Sequence, residues 1–303
     1  MSKVDRTPPK ALIILNPVAG SVNVKNLKRI IEEQFHSAGW TLRLYLTEAN
    51  IDLSNQVRTL MQTGYDLVVA VGGDGTIAEV AAGMVNSSIP LGIIPTGTWN
   101  AIARSLMIPS NPVRAISVLV GKHDERNLDL MSIGESLHVM NVGVGLSALM
   151  IKTTSREEKR KFGTMAYYSR LIKQVIGLQT MGFRIVADGK KYRGRASEIM
   201  VANYGVVGFN AIESLLDIHP DDGKADVLIF KARTILDLPI SLWQAFIQRR
   251  KRTPKFRRLQ ASQSITIETR PEVEVQADGE LIGKTPITIN VVAHGVRVIV
   301  PHG

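Results

Sequence analysis

The chain has 303 residues, 45% of them hydrophobic and 21% charged, so it is a foldable globular protein of about two domains, not a disordered one. It has no cysteine, which excludes a disulfide scaffold, a thiolate zinc site and a cysteine nucleophile. The net charge of +10 is unevenly placed: residues 1–130 carry 12 basic against 11 acidic side chains and residues 131–303 carry 25 against 16, so the second half faces something anionic.

The opening MSKVDRTPPKALIIL has no secretory hydrophobic region. No apolar run approaches the roughly 18–20 residues that cross a bilayer. Both point to a cytoplasmic chain that meets membranes only at their surface.

Along the first 130 residues two periodicities alternate. Ala11–Leu15 is an apolar run ending at Asn16-Pro17, as a buried strand does. Residues 25–38 place Leu27, Ile30, Ile31 and Phe35 at helical spacing before Gly39. Thr41–Leu46 alternates as a strand, 53–63 is helical up to Gly64, and Leu67–Val71 is strongly apolar. A helix over 76–86, a strand at Leu91–Ile94 and a helix over 98–106 follow. Strand and helix in strict turn predict a parallel sheet with helical crossovers.

The pattern changes near residue 124. Asn127–Ile133 and His138–Val142 read as strands joined around Gly134, and one long basic helix spans 157–178. Strand-like segments follow at 181–188, 193–203, 225–231, 264–269, 272–277 and 287–300. Asp188-Gly189 and Asp278-Gly279 are hairpin signals. This half predicts a β-sandwich-like domain with a long helix. The expected domains are 1–127, a parallel-sheet α/β nucleotide-binding domain, and 128–303, a β-rich lipid-substrate domain whose final segment can pack back on the first.

The most informative stretch is Gly72-Gly73-Asp74-Gly75-Thr76-Ile77 between an apolar strand and a helix. Glycines there let the backbone approach a bulky anion, and helix-start N–H groups favour negative charge. Thr76 can cap the helix. Asp74 would face phosphates across a divalent cation. An ordinary tight strand-to-helix turn is the bland alternative. The loose dinucleotide pattern also matches here, but the next strand ends Ile94-Pro95-Thr96-Gly97-Thr98 without the acid that binds ribose. Two further turns have the same character: Asn16-Pro17-Val18-Ala19-Gly20-Ser21 and Pro95-Thr96-Gly97-Thr98-Trp99-Asn100. In a doubly wound sheet all three lie at the carboxyl edge, where ligands bind.

These three turns resemble the nucleotide-binding loops of the soluble diacylglycerol kinase family, which includes bacterial diacylglycerol kinase-like lipid kinases and sphingosine kinases. Gly-Gly-Asp-Gly-Thr alone is shared with NAD kinases and phosphofructokinases. The resemblance covers nearly the whole chain. It implies ATP bound between two domains, with Asn16, Pro17, Val18, Ala19, Gly20, Thr47, Gly72, Gly73, Asp74, Gly75, Thr76, Ile77 and Thr98 at the nucleotide. It implies that Glu280, in Asp278-Gly279-Glu280, is the catalytic carboxylate taking the proton of the attacking hydroxyl. It implies Asp74 and Asp129 as further catalytic acids, Asp129 through orienting groups or metal, with a structural hydrogen bond as the alternative. Leu216–Lys224 resembles a loop holding structural magnesium through the Asp222 side chain and the carbonyls of His219 and Lys224. Turn chemistry alone makes that loop an acidic β-turn. The chain departs from the family pattern at Ala78 and Ala101, where Asn and Asp are common, which bears on recognition of the substrate hydroxyl.

Residues 249–258 hold seven cations and no acid, after Trp243, Phe246 and Ile247 at helical spacing. Such a segment suits an anionic membrane surface; a solvated basic loop is the alternative. The expectation is an ATP- and magnesium-dependent lipid kinase acting on diacylglycerol or a related lipid. The alternatives are a NAD kinase or other small-molecule kinase, and a non-catalytic lipid-binding regulator. No aromatic-rich RNA motif or recognition helix supports a nucleic-acid partner. A homodimer is compatible with the resemblance.

Overall fold

The computed structural model describes residues 8–20, 22–49, 51–153, 180–203, 218–231 and 256–303. They fall into two units, Met1–Leu128 with His294–Gly303, and Asp129–Ala293.

In the first unit, β1 (Lys10–Leu15), α1 (Val24–Ser37), β2 (Thr41–Leu46), α2 (Leu53–Met61), β3 (Leu67–Gly72), α3 (Asp74–Gly83), β4 (Leu91–Pro95), α4 (Ala101–Ser105) and α5 (Pro112–Val120) alternate as the periodicity requires. The strands run parallel in the order β2-β1-β3-β4. Ile13, Leu15, Val69 and Val71 pack on one face with Leu27, Ile31 and Phe35 of α1 and Ile116 and Leu119 of α5. Leu12, Ile14, Val68 and Ala70 on the other face are equally buried. A sheet covered on both faces needs continuous apolar strands, which is why the alternation is absent from β1 and β3. The helix at 112–120 was not among the expected elements. Its signal is Asn111, whose side chain accepts the Arg114 N–H, followed by Pro112 at the first helical position.

Two helix starts differ from expectation. The helix expected at 76 begins at Asp74, with Gly73 as an N-cap that offers no side chain. Thr76 is therefore not the cap but the third residue of α3. The helix expected at 98 begins at Ala101, because Asn100 adopts a left-handed backbone (φ 49°) that ends the preceding turn.

The second unit contains two sheets. β5 (His123–Ile133), which begins in the first unit, pairs with β6 (Ser136–His138). The chain then turns away, and β7 (Asn141–Gly145) joins the other sheet. The strand expected over His138–Val142 is thus two strands. After α6 (Leu146–Thr153), also not expected, β8 (Met181–Ala187) and β9 (Lys190–Ala196) form a hairpin on Asp188 (φ 45°) and Gly189 (φ 76°). The strand expected over 193–203 likewise divides at Ser197, and β10 (Glu198–Ala202) pairs with β7. β11 (Ala225–Phe230), β12 (Phe256–Ala261), β13 (Ser264–Arg270), β14 (Glu274–Ala277), β15 (Glu280–Lys284) and β16 (Ile287–Pro301) complete the described elements. One sheet runs β12-β11-β10-β7-β14-β15. In the other, β13 lies between β8 and the first half of β16. Val142, Val144, Ile199, Val201 and Val227 of the first meet Phe183, Ile185, Ile265, Ile267 and Ile289 of the second in one core. That is the expected β-sandwich-like domain.

The second half of β16 lies in the first unit, where Val298 pairs in parallel with Leu91 of β4. The basic helix expected at 157–178 and most of the 240–258 segment lie outside the described residues. Phe256, Arg257 and Arg258 of that segment belong to β12.

Candidate functional site

In the order β2-β1-β3-β4 the winding reverses between β1 and β3. In open α/β sheets that switch point is where the carboxyl edge holds a ligand. The turns leaving β1, β3 and β4 meet there. Asn16 Nδ2 donates to Thr76 Oγ1 at 2.9 Å, and Asn16 Oδ1 accepts the Val18 N–H at 3.0 Å. The Thr47 N–H donates to the Leu15 carbonyl, so the end of β2 borders the same edge.

Three glycines are required by the chain itself. A Cβ on Gly20 (φ 69°) would lie 1.8 Å from the Thr96 carbonyl oxygen. One on Gly97 would lie 2.6 Å from Gly73 Cα, and one on Gly72 would lie 2.5 Å from the Thr76 side chain. Gly75 is different. It is exposed in the first turn of α3, its φ is not in the left-handed region, and a Cβ there meets nothing within 4 Å. Glycine inside a helix costs about 1 kcal/mol relative to alanine, and among the described residues no neighbour accounts for it.

Asp74 is half-buried, and its Oδ1 accepts the Ile102 N–H at 3.0 Å. It caps α4, whose own N-cap Asn100 makes no side-chain cap bond. Among the described residues its other oxygen has no hydrogen-bond partner. Asp74 is the only acid in the three turns, since Ala101 follows Asn100. Asn100 is buried, with Nδ2 donating to the Gly97 carbonyl at 2.9 Å. Thr98 and Val18 are exposed on their turns, and Ile77 is buried in α3.

In the second unit, Asp278 (φ 48°) and Gly279 (φ 90°) make the turn between β14 and β15, and Glu280 follows, exposed, as the first residue of β15. The turn is tied down tightly. Asp278 Oδ1 accepts the N–H groups of Met140 and Asn141, and Oδ2 accepts that of Val139, at 2.9–3.0 Å. Gln276, 3% exposed, accepts the Gly279 N–H and donates to Asn141 Oδ1 at 2.8 Å. These bonds explain why the chain breaks at 139–140: its N–H groups serve Asp278 rather than a neighbouring strand.

Asp129 is fully buried. Its Oδ2 accepts the Gly223 N–H at 2.7 Å, its N–H donates to the Pro220 carbonyl, and its carbonyl accepts from Asn203. The structure thus brings Asp129 together with the acidic loop. Its side chain, with no exposed surface, fastens that loop. Within the loop, Asp222 Oδ1 accepts the Lys224 N–H at 3.0 Å and Oδ2 lies 3.6 Å from Lys224 Nζ. Of the residues expected around magnesium, Asp222 thus meets both the backbone N–H and the ammonium of Lys224. Among the described residues no group of three His, Asp or Glu side chains is arranged for a metal ion.

Sequence reasoning missed one acid. Glu198 is 5% exposed, and its carboxyl faces the start of α6, accepting from Ser147 N–H at 3.0 Å and Ser147 Oγ at 2.6 Å. Burial pushes its pKa up to about 7 against these bonds. Gly143 makes room for the group: a Cβ there would lie 2.1 Å from Ser147 Oγ. A lone Glu between Ser197 and Ile199 carries no sequence signal that it is buried.

The diacylglycerol kinase catalytic domain family matches residues 10–133, and the YegS C-terminal NAD kinase beta sandwich-like domain family matches residues 140–300. A diacylglycerol kinase of Staphylococcus haemolyticus (strain JCSC1435) is 27% identical over 298 residues, spanning 96% of this chain and 88% of its own. An uncharacterised Synechocystis protein is 27% identical over 303 residues, spanning 95% of this chain and 70% of its own. The crystal structure of a diacylglycerol kinase from Bacillus anthracis str. Sterne superposes with a TM-score of 0.76 at 26% identity, over 97% of this chain and 98% of that one.

Proposed function

The chain belongs to the soluble diacylglycerol kinase family of bacterial lipid kinases, and on that premise we propose that it transfers the terminal phosphoryl group of magnesium-bound ATP to a hydroxyl of diacylglycerol or a related lipid. The observation that carries the reading is Gly75. Among the described residues nothing needs a glycine there, and a phosphate approaching the uncapped start of α3 does.

The N–H groups that open α3 hold the phosphates, with the Asn16–Gly20 and Thr96–Asn100 turns around them. The second oxygen of Asp74 would hold a magnesium ion; one carboxylate with substrate phosphates is a donor set magnesium accepts. When bound, that ion neutralises charge developing on the transferred group. Glu280 accepts the proton of the attacking lipid hydroxyl. Asp129 orients the 218–224 loop.

A NAD kinase is the second reading, supported by the description of the matching C-terminal family. Phosphate transfer from labelled ATP to diacylglycerol, sphingosine and NAD decides between them; NAD as the sole acceptor would overturn the lipid reading. Gly75→Val tests the edge itself. It places a side chain in open space, so the protein should stay folded while ATP affinity, read by calorimetry, falls at least about 100-fold, or roughly 3 kcal/mol. Unchanged affinity in the folded variant would put the nucleotide elsewhere.

A further inference from the structure

The hairpin β8–β9 and its neighbour β13 have two unlike faces. Met181, Phe183, Ile185, Ile265 and Ile267 point into the sandwich core. The register fixes what lies on the other face, because residues paired across strands share a side. Arg195, Gly182 and Arg270 form one cross-strand row; Arg193, Arg184 and Glu268 form the next; Lys191, Val186, Thr266 and Thr288 form the third. The outer face thus carries five cations and one acid.

Lys191, Arg193, Arg195 and Arg270 are exposed. The single acid, Glu268, lies 3.5 Å from Arg184. Arg184 and Arg193 are directly opposed, a like-charge pair that disfavours the sheet.

Cations on an exposed edge strand also discourage strands of other molecules from adding to it. That need would be met by β9 alone. It does not account for Arg184 and Arg270, which stand on the same face of strands inside the sheet.

We propose that this face docks on an anionic lipid surface, a role resting on the lipid-kinase reading for its purpose but not for its measurement. An array of cations over three strands matches a surface of phosphate groups. Among the described residues the face has no exposed aromatic side chain on which nucleic-acid bases could stack.

The test is co-sedimentation of the full chain with phosphatidylcholine vesicles with and without phosphatidylglycerol, using Lys191→Gln/Arg193→Gln. Lys25→Gln/Lys28→Gln on α1 is the control. Both target pairs are exposed, so folding should hold. At about 1 kcal/mol per cation, removing two should weaken binding to the anionic vesicles about thirtyfold. The α1 control should bind as the parent does, and added salt should weaken the parent. Turnover of a short-chain diacylglycerol in solution should be unchanged in the hairpin variant. Parent protein that binds the vesicles but phosphorylates no lipid would leave the docking face standing and remove the kinase reading. Parent protein that ignores anionic vesicles, or a hairpin variant that binds like the parent, would overturn the proposal. So would a variant that loses affinity for single-stranded RNA but not for vesicles.

Discussion

Asp74→Asn keeps an oxygen for the Ile102 N–H but removes the negative charge, so it separates two tasks of one side chain. Stability should change by less than about 1 kcal/mol, the typical worth of a cap. Turnover at saturating magnesium should fall about 100-fold or more, the usual cost of losing a group aimed at developing charge. Asp74→Ala should lose both stability and turnover. Equal turnover of the Asn variant and the parent would leave Asp74 as a cap alone. Ala101 sharpens this test, since the three turns contain no second acid to substitute for Asp74.

The two Asp-Gly hairpins are built alike. Asp188 accepts the N–H groups of Ser262, Gln263 and Ser264, as Asp278 accepts those of Val139, Met140 and Asn141. Burial pushes the Asp188 carboxyl up, but those N–H groups hold it below the usual carboxylate value. The aspartates are architectural in both turns; the difference is that Lys190 follows one and Glu280 the other. Asp188→Asn and Asp278→Asn should each cost about 1.5–3 kcal/mol in urea unfolding, the range for hydrogen bonds to a charged group. Only the change at 278 should also lower turnover. Glu280→Gln should do the reverse: stability and ATP affinity nearly unchanged, and turnover down about 10²–10⁴-fold. A loss below about tenfold would be too small for a general base.

For the molecule as a whole, Glu198 makes stability depend on pH. Its carboxyl titrates near 7 when folded, against an ordinary 4.5, because it is buried. The folded protein therefore holds this proton more tightly than the unfolded chain. The contribution is fully present below the unfolded value and declines as pH rises through about 7, by roughly 3 kcal/mol at 1.36 kcal/mol per unit. Glu198→Gln keeps the shape and can still bond Ser147. It should flatten the change in urea midpoint between pH 5 and pH 8, and an undiminished slope would assign that change to other groups. Among the described residues no helix is long and apolar enough to cross a membrane.

Elements whose burial is local were legible in the sequence. β1 and β3 lie within a residue of where their apolar pattern ends, because a strand covered on both faces must be apolar throughout, and β2, at the sheet edge, spans the alternating run Thr41–Leu46. Both Asp-Gly turns were legible because two consecutive left-handed residues select that pair. The glycine-rich edge was legible because the close approaches it needs exclude a Cβ. Which sheet a strand joins was not. The strand-like segments run on through Val139 and Ser197, where the chain leaves one sheet for the other, since local alternation carries no record of its partner. The fixing contacts join residues far apart in the chain: Asn16 to Thr76, Asp74 to Ile102, Val139 to Asp278 and Glu198 to Ser147. Only tertiary structure could decide that Thr76 binds Asn16 instead of capping its helix, or that Asp129 is walled in beneath a loop. In each case the outcome depends on which distant group fills the side chain's hydrogen-bonding capacity.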